Sequence, residues 1–107
     1  PAPQNTDTKP YFLIDWDRPL SWKLSIYLCS SYLYYLMNFS VLSDHDYDRL
    51  CRELAAGWRT LRHQHKHVVS FADLKAGTGY SIKAYPLIVE MAAQHMRENY
   101  HETRSHI

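Results

Sequence analysis

Cysteine and glycine are both scarce in this sequence, and so is any surplus of charge. Two cysteines occur in 107 residues, Cys29 and Cys51, each inside an apolar helical pattern rather than in a Cys-x-x-Cys pair. That spacing argues against a disulfide framework and leaves two reduced core thiols. Of the three glycines, two fall in Gly77-Thr78-Gly79, which has neither the lysine of a Walker loop nor the spacing of a dinucleotide fingerprint. Turn geometry accounts for these glycines better than a phosphate cradle does. Lysine and arginine number 12 against 11 aspartates and glutamates, a formal charge of +1. No whole-protein field therefore draws the chain to nucleic acid or to an anionic membrane, and any such contact has to be local. The longest apolar stretch, near Ile26 to Met37, is broken by Cys29, Ser30 and Ser31 and falls short of the roughly 20 residues a membrane span needs. The polar, proline-containing residues Pro1 to Pro10 do not read as a signal peptide, so a cytoplasmic location is expected.

What is present is enough to fold. A hydrophobic content of 46% with 14% aromatic residues is too rich for a disordered chain, and the length allows one modest core. The expected organisation is a flexible arm over residues 1–10, a single all-α domain over 11–100 and a frayed tail over 101–107. Tyr11, Phe12, Leu13, Ile14 and Trp16 make an apolar patch that pins the arm to the core. Ser21 is a candidate N-cap, after which Trp22, Ile26, Cys29, Leu33 and Leu36 recur at helical spacing. Asn38 to Leu42 breaks that pattern. Ser43 and Asp46 then form a capping box, and Tyr47, Leu50, Cys51, Leu54 and Trp58 mark a second helix with one stripe turned to the first. Two antiparallel helices in a hairpin are the expected scaffold. Irregular structure is expected from Arg62 to His67, followed by a short turn capped by Ser70 and ended by Gly77. Pro86 suits the first turn of a C-terminal helix whose buried face is read as Leu87, Ile88, Met91, Ala92 and His95, fraying from Asn99.

The chemistry concentrates in the hairpin. Tyr34 and Tyr35 close the first helix, while Asp44, Tyr47 and Asp48 open the second, so the turn brings all five toward one end of the pair. The tyrosine pair, Asp44, Tyr47-Asp48, Arg49-Leu50 and Arg52-Glu53-Leu54 resemble the N-terminal Ia domain of NAD-dependent DNA ligases, at that family's own separation and without a gap. The resemblance covers about Ser21 to Trp58. It implies that Tyr34, Tyr35, Asp44, Tyr47 and Asp48 contact the nicotinamide mononucleotide half of NAD. A flat cationic ring suits aromatic faces and nearby carboxylates, and ribose hydroxyls can donate to aspartate. Two carboxylates would repel a phosphate, so the fit favours the nicotinamide riboside end.

The departures narrow the expected function. Lys75-Ala76-Gly77 lacks the aspartate of the adenylation motif Lys-x-Asp-Gly, and no catalytic ligase domain fits in the chain. The segment from His63 onward instead resembles small stand-alone ligase-like proteins of bacteriophages, through His65-Lys66-His67, the run Lys75 to Gly79, and Tyr85-Pro86. A non-catalytic module in the host-cell cytoplasm is expected, with no required cofactor and with NAD or nicotinamide mononucleotide as ligand. The alternative is an interaction factor that keeps the hairpin as scaffold and binds a host or phage protein, modulating DNA metabolism or defence. Tyr11, Phe12 and Trp16 are the first surface for such a contact.

His63, His65 and His67 would share one face of an extended strand, but no fourth ligand is evident, and Arg62 and Lys66 raise the local positive charge. A polar connection with His67 turned inward is expected rather than a metal site. Nucleic acid would be touched only locally, through Arg62 to His67. No serine or cysteine is placed beside these histidines by any sequence pattern, so no nucleophile and base can be named.

Overall fold

Pro19 opens the first helix, α1 (Leu20–Met37), as an N-cap without a side-chain hydrogen bond. Its fixed φ is preorganised for the first turn, and its carbonyl takes the Lys23 N–H at 3.1 Å. The expected cap at Ser21 is therefore not used, and Ser21 stands exposed inside the first turn. A larger correction concerns the buried stripe. Lys23, Leu24 and all of Ile26 to Leu33 are buried, so α1 has almost no solvent face over three turns. The physical reason is that α1 is the central helix, with α2 and α4 packed on different sides of it. Leu36, beyond those neighbours, is 59% exposed. The helix ends at Asn38, which takes a left-handed conformation with φ 54°, and the Phe39 N–H closes on the Leu33 carbonyl at 2.9 Å.

The hairpin is as expected. Ser43 caps α2 (Asp44–Ala56) by accepting the Asp46 N–H at 3.1 Å, and α2 buries Leu50, Cys51 and Leu54. Lys23 meets Glu53 while Ser31 meets Tyr47, a pairing order that makes α1 and α2 antiparallel. Gly57 ends α2, and the Lys66 ammonium then donates to the carbonyls of Trp58 and Leu61 at 2.7 and 3.0 Å while lying over the Trp58 ring. Ser70 caps α3 (Phe71–Ala76), and Gly77 closes it at φ 76°.

The last helix, α4 (Leu87–Tyr100), follows Pro86 and turns the opposite face inward from the one expected. Val89 and Ala93 are buried, with Met96 and Tyr100 packed against the core, while Leu87, Ile88, Met91, Ala92 and His95 are exposed. Both faces carry apolar residues at helical spacing, and the contacts with α1 select the one bearing the small Ala93. Asn99 stays helical, its amide donating to the His95 carbonyl at 3.2 Å.

The computed structural model describes residues 11–100; the expected arm over 1–10 and tail over 101–107 lie outside them. The described residues are all-α, with one core cluster running from Ile14 to Ala93. The segment Tyr11 to Trp16 pins down as expected: the Phe12 N–H meets the Val41 carbonyl at 2.8 Å and Ile14 is buried. Within it Phe12 packs on Trp22 and Tyr100 and Trp16 lies under the Arg49 guanidinium, while Tyr11 and Leu13 are exposed. No helix among the described residues is long and apolar enough to cross a membrane.

Candidate functional site

All five hairpin residues line one pocket. Tyr34 and Tyr35 from the end of α1, and Asp44, Tyr47 and Asp48 from the first turns of α2, surround a space of about 320 Å³. Ser30, Ser40, Val41 and Leu42 complete the hairpin side, and Gly77 supplies a wall from outside it. Asn38 makes this possible. Its left-handed turn lets six residues, 38–43, return the chain so that the Ser43 cap starts α2 beside the end of α1.

The five residues play unequal parts. Tyr34 is 53% exposed and meets Tyr35 edge-on, with ring centroids 4.9 Å apart. Tyr35 gives its hydroxyl to the protein, 2.5 Å from Thr78 Oγ1. Tyr47 turns inward: its hydroxyl lies 2.6 Å from Ser31 Oγ and its ring is 5.8 Å from that of Tyr27. Burial pushes the Tyr47 phenol well above its ordinary range, with Tyr27 adding to the effect, so it stays a neutral hydroxyl. Asp48 is ion-paired with Arg52 one turn along α2, and Asp44 is exposed with no side-chain partner among the described residues. The lining thus contains two carboxylates and no basic side chain.

Sequence reasoning missed the loop 77–79. Gly77 was expected to take positive φ, but nothing in the sequence placed it against Asp48, where a Cβ would sit 3.1 Å from Oδ1. Thr78 carried no signal at all as a partner of Tyr35.

A second missed juxtaposition is Ser25 with His63, whose Nε2 lies 2.8 Å from Ser25 Oγ. This has the spacing of a nucleophile and base. The hydrogen bonding runs the other way, because His63 Nδ1 accepts the His65 N–H at 2.9 Å and so carries no proton. In the neutral ring the proton sits on Nε2 and is donated to Ser25, which cannot then be deprotonated by that nitrogen. Burial lowers the His63 pKa, with His65 adding to the effect, which keeps this tautomer neutral. His63 and His65, whose Nε2 is buried, are therefore the histidines turned inward; His67 is exposed. Among the described residues no three His, Cys, Asp or Glu side chains gather as a metal would require. Lys66 spends two of its three donors on the carbonyls after α2. The two thiols are buried and free, Cys29 pushed up to about 11 and Cys51 to about 12 by burial, which leaves both poor nucleophiles.

No family model, no curated protein and no solved structure matches the chain.

Proposed function

We propose that the protein is a non-catalytic binding module that takes nicotinamide mononucleotide, or the matching half of NAD, in the hairpin pocket. The convergence of Tyr34, Tyr35, Asp44, Tyr47 and Asp48 on one cavity supports this reading. A volume of about 320 Å³ is at the lower end of small-ligand pockets and suits one nucleotide half better than a whole dinucleotide. Aromatic rings with two carboxylates and no basic side chain favour a flat cationic ring and sugar hydroxyls, with the phosphate directed outward. On the resemblance to phage ligase-like proteins, such a module would act in the host cytoplasm, sequestering or sensing the nucleotide.

Isothermal titration with nicotinamide mononucleotide, NAD and ADP-ribose tests the proposal. Binding of the first two and not the third is expected, with loss in a Tyr34→Ala, Asp44→Asn double variant. Wild-type protein that gives neither heat nor a thermal shift with any of them would overturn it.

One observation favours a second reading, an interaction factor using the hairpin as scaffold. Leu87, Ile88 and Met91 leave an apolar face of α4 open to solvent, at 70%, 62% and 63% exposure. A Leu87→Glu, Met91→Glu variant that loses a host or phage partner while retaining nucleotide affinity would assign partner binding to that face.

A further inference from the structure

The pocket tyrosines are held from behind by a loop that the hairpin does not contain. Between α3 and α4, Thr78 donates its N–H to the Asp73 carbonyl at 2.9 Å and accepts the Tyr27 hydroxyl on its own carbonyl at 2.8 Å. Its Oγ1 lies 2.5 Å from the Tyr35 hydroxyl and accepts the Tyr80 N–H at 3.0 Å. Gly79 donates its N–H to the same Tyr35 oxygen at 3.4 Å. A Cβ on Gly79 would stand 2.6 Å from Ser31 Oγ and 3.0 Å from the Tyr47 hydroxyl, so the backbone lies directly against the bond that ties Tyr47 to α1. The far side is anchored by buried Asp73, which accepts the Ser81 N–H at 2.8 Å and the Ser81 hydroxyl at 2.9 Å.

We infer that this loop shapes the pocket in advance, with Thr78 as the positioning residue for Tyr35 and Gly79 seating the Tyr47–Ser31 pair. Tyr35 lies on the last turn of α1, where a half-buried ring would otherwise sample several rotamers. Fixing its hydroxyl removes the ordering cost from the binding step and leaves the ring, not the oxygen, as what Tyr35 offers a ligand. The effect on affinity rests on the nucleotide reading above; the placement of the ring does not.

Two measurements on the full chain test this. In the first, tyrosine ring carbons are labelled and followed by NMR without ligand. Thr78→Val, which keeps the shape and removes Oγ1, should move the Tyr35 resonances, and Thr78→Ser should return them. In the second, nicotinamide mononucleotide is titrated. Thr78→Val and Tyr35→Phe should each weaken binding about tenfold, the double variant no further, with Thr78→Ser near wild type. If Thr78→Val does not fold, the Thr78 methyl resonance in Tyr35→Phe reports on the same bond from its other end, and an unmoved resonance overturns the inference. Unmoved Tyr35 resonances in Thr78→Val, or wild-type affinity in that variant, also overturn it. Wild-type protein that binds no nucleotide while Tyr35 still responds to Thr78→Val and Thr78→Ser refutes the nucleotide reading and supports the positioning role.

Discussion

At the N-terminal end of α1, Lys23 faces Glu53, Ser25 faces His63, and the indole of Trp16 lies under Arg49. At the C-terminal end, Tyr34, nine to eleven residues further on, and Asp44 of α2 face a cavity, and neither side chain has a hydrogen-bond partner among the described residues. The same two helices make both ends. At the first end these polar groups are matched within the protein, and the residues hold the fold together. At the second, Tyr34 and Asp44 are left without a side-chain hydrogen-bond partner among the described residues and stand open to the cavity. Residue type does not separate the two ends, since each has aromatics, carboxylates and hydroxyls.

That contrast can be broken by substitution, and the largest effect belongs to the matched end. Glu53→Gln removes the charge facing buried Lys23, bonded at 2.6 Å, and leaves one acceptor oxygen for the two donors Lys23 and Arg49, the latter at 2.9 Å. A loss of about 2 kcal/mol in urea unfolding is expected, with nicotinamide mononucleotide affinity unchanged; equal loss of both would merge the two ends into one unit. Lys66→Met strips the carbonyls of Trp58 and Leu61 of their donor and should cost about 1.5 kcal/mol by the same measurement.

Acid acts on the same end in two stages. The His63 pKa is lowered from 6.5, so the unfolded chain binds the proton first and stability declines as pH drops below 6.5. His63→Gln should flatten the stability profile between about pH 7 and 5.5, and an unchanged slope would remove His63 as its source. For Glu53, burial opposes the charge, but the Lys23 and Arg49 hydrogen bonds outweigh it and hold the carboxyl below its ordinary 4.5. Its contribution is full above that value and lost as pH falls through the lower folded value. The smallest stability change belongs to the open end. Tyr34→Ala with Asp44→Asn should alter unfolding by less than about 0.5 kcal/mol while abolishing binding, and a larger loss would show that these residues are packing after all.

Much of the local structure was legible because it is written in single residues. Ser43 and Ser70 cap helices, Gly77 closes one, Pro86 precedes another, and each acts through its own backbone chemistry. The hairpin pocket was legible for a related reason: a short turn brings its two ends together whatever the rest of the chain does. What was not legible depends on partners distant in sequence. A one-stripe reading of α1 assumed one neighbour, and α4 supplies a second from about 60 residues away, as the Cys29 thiol and Val89 carbonyl at 3.9 Å show. The face of α4 was misread because Leu87, Ile88 and Met91 outweigh Val89 and Ala93 in hydrophobicity, while close approach to α1 favours the smaller side chains. Thr78 was silent because a threonine in a turn looks the same whether its hydroxyl meets water or a tyrosine 43 residues away.

The wrapping of α1 bears on how this chain tolerates sequence drift. A helix with one buried face resists change only at every third or fourth position, which leaves a periodic record in a library of random variants. From Lys23 to Leu33 only Ser25 escapes full burial, and it is held by His63. Selection for folded protein should therefore leave an almost continuous intolerant block in α1, with permissive positions returning only from Tyr34, where the helix opens onto the pocket.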